Sequence, residues 1–195
     1  MSAAIKTFRN VRVRIHRRNS DKWVAGWVSH LARDEARIRL WSPIDFEENE
    51  PVSGECYGQG TVARFVGRIF AQASHEVAIA LSGSISYAPS EETPRIFATG
   101  LSGRISGNGQ DAAMRVLDVS PLSLGIVANY AFAPSEDLTM TLPSEMGPIT
   151  ATVSVANCRE DGDTPGRYRI GLHIVTMARL DTARWGRLVA ERAEA

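Results

Sequence analysis

The sequence predicts a mainly β protein built as two antiparallel β-barrel domains in tandem, with one helix at its C-terminal end. Three observations predict it. Short β-branched runs separated by polar turns recur along the whole chain. Helical periodicity is confined to the tail. The layout of the first half is repeated in the second, across a polar break flanked by prolines. The 195 residues suffice for one large domain or two small ones.

Residues 11–15 alternate valine or isoleucine with arginine, the pattern of a half-buried strand with a basic outer face. Runs 23–28 and 36–41 read as the next strands. Run 65–70 pairs with 77–81 across a polar turn containing Ser74 and His75. Residues 84–93 are rich in Ser, Pro and Glu, and Pro89 and Pro94 keep the chain extended there. This is the expected linker, with one domain over 1–88 and the other over 89–195. In the second half, runs 96–105 and 114–119 flank Ser106-Gly107-Asn108-Gly109, where Asn-Gly supplies the positive φ angles of a tight hairpin. Runs 124–130, 138–142, 149–156 and 168–175 follow as strands, with 162–166 as the last hairpin turn. Leu180, Trp185, Leu188 and Val189 are spaced for the apolar face of a terminal helix, with Asp181 at its N-cap. The pair 11–15 and 23–29 parallels 97–105 and 114–120. That alignment sets Trp27 where Asp118 falls in the second half.

Charge excludes some functions. The chain has 22 Lys and Arg against 22 Asp and Glu, without the basic excess of a general nucleic-acid binder. The first 22 residues nevertheless carry seven basic groups (Lys6, Arg9, Arg12, Arg14, Arg17, Arg18, Lys22) and one acid, Asp21. The basic strand face is a solvated surface, a site for an anionic partner, or the counterpart of the chain's own acidic stretch 45–55. There is no apolar run long enough to span a membrane, and the start lacks the apolar core of a secretory signal, so a cytoplasmic protein is expected. Cys56 and Cys158 are isolated, and His16, His30, His75 and His173 are scattered. No HExxH pair, Cys/His cluster or GxSxG elbow occurs, so neither an enzyme nor a metal or cofactor is expected. Gly58-Gln59-Gly60 and Gly107-Asn108-Gly109 lead into strand-like sequence, not into the helix N-terminus that a dinucleotide loop requires, and read as turns.

The informative region runs from Arg95 to Val175. Its marks are Arg95, then Asp118-Val119-Ser120-Pro121-Leu122-Ser123-Leu124-Gly125, then Tyr168-Arg169-Ile170-Gly171. This part resembles the PilZ family of bacterial cyclic di-GMP receptors, whose pattern is Arg-x-x-x-Arg followed after twenty to thirty residues by Asp/Asn-x-Ser-x-x-Gly. The resemblance covers roughly the last hundred residues. The preceding half, joined just before the arginine position, looks like the N-terminal barrel of flagellar-brake proteins. The resemblance implies a non-enzymatic signalling effector that binds cyclic di-GMP where the linker meets the second barrel. Arg95, Asp118, Ser120 and Ser123 would be the ligand-binding positions, and domain reorientation would pass the signal to a protein partner.

The residue chemistry suits that ligand. An arginine fork pairs with phosphate or with guanine O6/N7, and its face stacks on a base. An Asp accepts from the guanine N–H edge, and a Ser hydroxyl serves phosphate or base. Two positions depart from the pattern: Glu91 stands at the first arginine and Ser123 at the glycine. A carboxylate about 6 Å from phosphate, at an effective dielectric of about 20, costs roughly 3 kcal/mol before screening. Glycine also permits a positive φ that Ser tolerates less well. Structural readings stand beside these. Asp118 and Ser120 would cap the turn after a strand, and Arg95 would form a surface ion pair. The corresponding alternative function is a PilZ-fold adaptor that no longer binds cyclic di-GMP and acts through protein contacts.

Overall fold

The computed structural model describes residues 8–18, 20, 23–98, 100–161 and 164–194. Lys6, Asp21 and Lys22 of the basic segment lie outside the described residues, as do Gly162 and Asp163 of the expected last turn. The chain divides into two compact units, one ending at Ile96 and the other spanning Phe97–Glu194. No helix is long and apolar enough to cross a membrane among the described residues.

The first unit holds β1 (Arg12–Arg17), β2 (Trp23–Leu31), β3 (Glu35–Leu40), β4 (Pro51–Gly58), β5 (Thr61–Ala73), β6 (Glu76–Leu81) and β7 (Ser86–Pro89). The strands pair antiparallel in the order β4-β1-β2-β3-β6-β5, and β5 pairs back to β4, closing a six-stranded barrel. The expected pairing of 65–70 with 77–81 is β5 on β6. Alternation points Val13, Ile15, Ile38 and Ile79 into a core from which water is excluded. The expected linker is in part a strand, because β7 pairs with Thr61–Arg64 of β5. Inward positions of β4 include Gly54, over which the Phe65 ring lies; a Cβ there would come within 2.2 Å of that ring.

The second unit begins within β8 (Ile96–Phe97) and continues with β9 (Ser102–Gly107), β10 (Gln110–Ser120), β11 (Ser123–Ala128), β12 (Asp137–Leu142), β13 (Ile149–Glu160), β14 (Tyr168–Met177) and α1 (Arg179–Glu194). The predicted run 96–105 is therefore interrupted. Its barrel runs β12-β9-β10-β11-β14-β13 and closes with β13 on β12. Reading β9 for β1, β10 for β2 and so on, this is the same cyclic order as the first barrel. The two main bulges also correspond. β2 is irregular between Val28 and His30, as β10 is between Val116 and Asp118; β5 is irregular between Ile69 and Ala71, as β13 is between Val155 and Asn157. The repeat is thus real at the level of topology and register. It corrects one alignment: superposing the matching bulges pairs Val28 with Val116 and His30 with Asp118, so the residue equivalent to Asp118 is His30, not Trp27, which followed from aligning the strand starts 23 and 114.

The turns behave as their residues require. Asn108 (φ 47) and Gly109 (φ 75) make the β9–β10 hairpin, and Gly60 (φ 68) turns β4 into β5. The helix differs in detail from expectation. Trp185, Leu188 and Val189 are buried, but Leu180 is 60% exposed. Asp181 is the third helical residue and pairs with Arg184 at 2.9 Å, while Ala178 O accepts the Thr182 N–H.

The basic strand β1 is answered in part by the chain's own acids. Arg17 donates from Nε and Nη2 to Glu50 at 2.6 and 2.8 Å, and the Glu47 N–H adds a third bond to that carboxylate. Glu50 is 5% exposed, and the Arg17 bond holds its carboxyl below the usual carboxylate range. A lowered pKa stabilises the folded state above the unfolded value of about 4.3, and that stabilisation is lost as pH falls through the folded value. Glu50→Gln should therefore cost the first barrel about 1–3 kcal/mol at pH 7. The gap should narrow as pH falls below the unfolded carboxylate value and close once Glu50 itself protonates, below that value. Denaturant melts of both proteins across a pH series from neutral to acid test this.

Candidate functional site

β10 and β11 meet in a hairpin where Ser120 faces Ser123 across Pro121-Leu122. Before the bulge, Met114 and Val116 point into the barrel and Arg115 points out. Leu117 is then the extra residue, and an extra residue inverts the alternation. Val119 consequently fills the core opposite Leu124, while Asp118 and Ser120 face outward. Strict alternation from Val116 would have driven Asp118 into the apolar interior.

The registers place three rungs on the outer face of β10, β11, β14 and β13. The middle rung reads Asp118, Gly125, Gly171, Asn157. Its two glycines are required by close approach. A Cβ on Gly125 would lie 2.8 Å from Asp118 Oδ1, and one on Gly171 would lie 2.6 Å from Asn157 Nδ2. The carboxylate and the carboxamide thus lean inward from opposite sides over a strip of bare backbone. The rung nearer the turn reads Ser120, Ser123, His173, Ser154, and the rung on the other side reads Arg115, Val127, Arg169, Arg159. Arg169 pairs with Asp161 at 2.8 Å. The face thus offers acceptors and donors around a flat floor, with guanidiniums along one side: a surface chemically suited to a planar anion.

The sequence-derived site residues divide. Asp118, Ser120 and Ser123 come together on this face, at 7%, 2% and 8% exposure. Arg95 belongs to the first unit, where its carbonyl accepts the Arg12 N–H at 2.9 Å; Glu91 is exposed. The Ser120 and Ser123 hydroxyls bond each other at 2.6 Å, and the Ser120 hydroxyl also donates to Ser123 O at 3.2 Å. The indole N–H of Trp185 donates to Ser120 O and Pro121 O, each at 3.1 Å, so α1 grips the turn. Ser123 is a strand residue and is not among those at positive φ. Glycine's conformational freedom is therefore not needed at 123. Arg115, Asn157 and Arg159 escape a motif search. Only the registers bring them beside Asp118.

Among the described residues no three His, Cys, Asp or Glu side chains converge as metal ligands. Cys56 is fully buried, and burial pushes its thiol up to about 12, which suppresses the thiolate.

No protein-family model matches the sequence, and no curated protein does. Solved structures do match. K. pneumonia MrkH, described as a c-di-GMP-dependent transcription regulatory factor, is 13% identical, with a TM-score of 0.50 over 93% of this chain and 84% of its own. The Bacillus subtilis inhibitor of motility MotI/DgrA is 15% identical, with a TM-score of 0.46 over 95% and 96%. Escherichia coli YcgR, in complex with c-di-GMP, is 9% identical, with a TM-score of 0.46 over 93% and 83%. At these identities the likeness to MrkH is one of fold.

The seating of Asp118 on Gly125 can be tested alone. Gly125→Ala should cost about 1–2 kcal/mol by crowding the carboxylate. In an Asp118→Ala background the cost should fall to half or less, which a double-mutant cycle of thermal stabilities would read directly. Equal costs in both backgrounds would show that the carboxylate does not lie there.

Proposed function

We propose that the chain is a non-enzymatic cyclic di-GMP receptor of the PilZ type, with the ligand seated on the outer face of β10, β11, β14 and β13. The observation that carries this reading is the bulge at Leu117. It turns Asp118 and Ser120 outward beside Ser123, onto one glycine-floored strip. The fold shared with MrkH, whose description names c-di-GMP, supports it.

Each group has a role in this reading. Asp118 leaves Gly125 to accept from a guanine N1–H and N2–H edge. The bare backbone of Gly125 and Gly171 admits a ring at close approach. Arg115 and Arg159 stand one rung away to meet phosphate or guanine O6/N7. Arg95, on the segment leading into the second barrel, supplies the family's remaining arginine contact. Binding then alters how the two barrels are presented to a protein partner. The adaptor alternative is favoured by two observations: Glu91 at the first arginine position, and hydroxyls of Ser120 and Ser123 already committed to each other.

Isothermal titration with cyclic di-GMP separates the readings. The parent protein should bind, and Asp118→Ala and Arg95→Ala should each weaken binding at least tenfold, about 1.4 kcal/mol, with little change in melting temperature. No heat from the parent at millimolar ligand would leave the adaptor. Glu91→Arg should tighten binding by about tenfold. Ser123→Gly should bring no gain, because position 123 needs no positive φ and its hydroxyl satisfies Ser120.

A further inference from the structure

The first barrel carries a feature of its own. A cleft of about 380 Å³ opens on its outer face, lined by His16, Arg18, Ser53, Val66, Arg68 and Ser82 among others. That volume falls in the range of small-ligand sites, about 300–1,000 Å³. None of its described lining residues is acidic.

That absence is informative against the surroundings. Elsewhere on this barrel arginines meet acids. Arg17, in the inward phase at the end of β1, is held by Glu50, and the outward Arg64 by Glu55 at 2.7 Å. Arg14 lies 5.6 Å over the Tyr57 ring and also acts on Glu55. The cleft gathers three basic side chains and two hydroxyls without such a partner in its lining. Arg68 is positioned by donating from Nη1 to Asn49 O at 2.9 Å, which uses one of the five guanidinium N–H donors.

The apolar part is equally organised. Registers align Trp23, His16, Ser53 and Val66 on one outward rung across β2, β1, β4 and β5. His16 packs on Trp23 with ring centroids 5.0 Å apart. Trp23 is 52% exposed and Val66 55% exposed, so both ends of the rung present apolar surface to solvent. Arg68 stands on the next rung along β5, facing Pro51. Cationic forks beside a half-exposed indole form a pair of complementary surfaces, one for phosphate and one for an aromatic ring.

We propose that this cleft binds a nucleoside monophosphate, with the phosphate between Arg18 and Arg68 and the base against the His16–Trp23 edge. The site lies wholly within the first barrel and is separate from the face carrying Asp118. Phosphate alone lacks the stacking partner, and the nucleoside alone lacks the anion.

The test uses the full chain, isotope-labelled, titrated in separate experiments with AMP, adenosine and inorganic phosphate while amide shifts are followed. AMP should move the signals of His16, Ser53, Val66 and Arg68 and quench Trp23 emission. Adenosine and phosphate should each bind at least tenfold more weakly. Arg18→Glu, at an exposed position, and Arg68→Glu should each lower AMP affinity at least tenfold. Arg14→Glu, outside the cleft, should leave it within twofold. Absence of shifts at millimolar AMP overturns the proposal, as does equal binding of AMP and phosphate. Equal losses in Arg14→Glu and Arg18→Glu also overturn it, since they would mark diffuse attraction by the basic strand. Because Arg68 also anchors Asn49, the affinity of Arg18→Glu is decisive if Arg68→Glu alters the thermal transition.

Discussion

Closing six antiparallel strands into a cylinder is the constraint from which the rest of this molecule follows. A small barrel forces its strands to coil strongly, and a strand of regular pleat does not coil enough. Each barrel meets this with an extra residue at two matching places, in β2 and β5 of the first and in β10 and β13 of the second. An extra residue inverts which face the following side chains occupy. In the second barrel that inversion decides where chemistry sits: it carries Asp118 and Asn157 outward onto one rung with Gly125 and Gly171 between them. The bend that permits closure is therefore also the device that presents the candidate face.

The same frame with different occupants gives a different surface. The equivalent rung of the first barrel reads His30, Arg37, Ala78, Ala71. It has no carboxylate and no paired glycines, so nothing there reproduces the bare strip beside an acceptor. The first barrel instead directs much of its charge onto itself. Its acidic loop is pinned by the Arg17–Glu50 pair and by Gln72, whose side chain bonds both Ile44 O and the Phe46 N–H. The two ends of the tandem have thus diverged in electrostatics while keeping one topology.

How much of this could be read from residues alone depends on what fills the core. Strands such as β3 and β12 show plain alternation, with Ile38 and Leu40 or Leu138 and Met140 as inward residues, and their positions are evident. β4 alternates as regularly, yet two of its inward residues are Gly54 and Gly58. Their core volume is supplied by the rings of Phe65 and Phe8 from elsewhere in the chain, so the period is invisible in the local sequence. β7 reads as linker because its short, polar, proline-ended run gains pairing only from β5. Asp118, Ser120 and Ser123 are identifiable as a motif, but Arg115, Asn157 and Arg159 are not. Their membership of the face depends on bulges, and a bulge is a response to closure that no local propensity encodes.

The two departures from the family pattern, equal on paper, are physically unequal. At 123 the backbone is extended and the added hydroxyl finds a partner at 2.6 Å, so the substitution is absorbed inside the hairpin that Trp185 already clamps. At 91 the substitution exchanges a cation for an anion on an exposed residue, and local packing cannot absorb a change of sign. Its cost falls on any anionic ligand through the Coulomb term alone, which weakens with distance and salt. The outer face carries its own opposing charge in Arg115 and Arg159, whereas the charge of Arg169 is matched by Asp161. Under the proposed receptor reading, affinity for a dianion would turn on whether Arg115 and Arg159, which bring directional hydrogen bonds as well as charge, outweigh the carboxylate of Glu91.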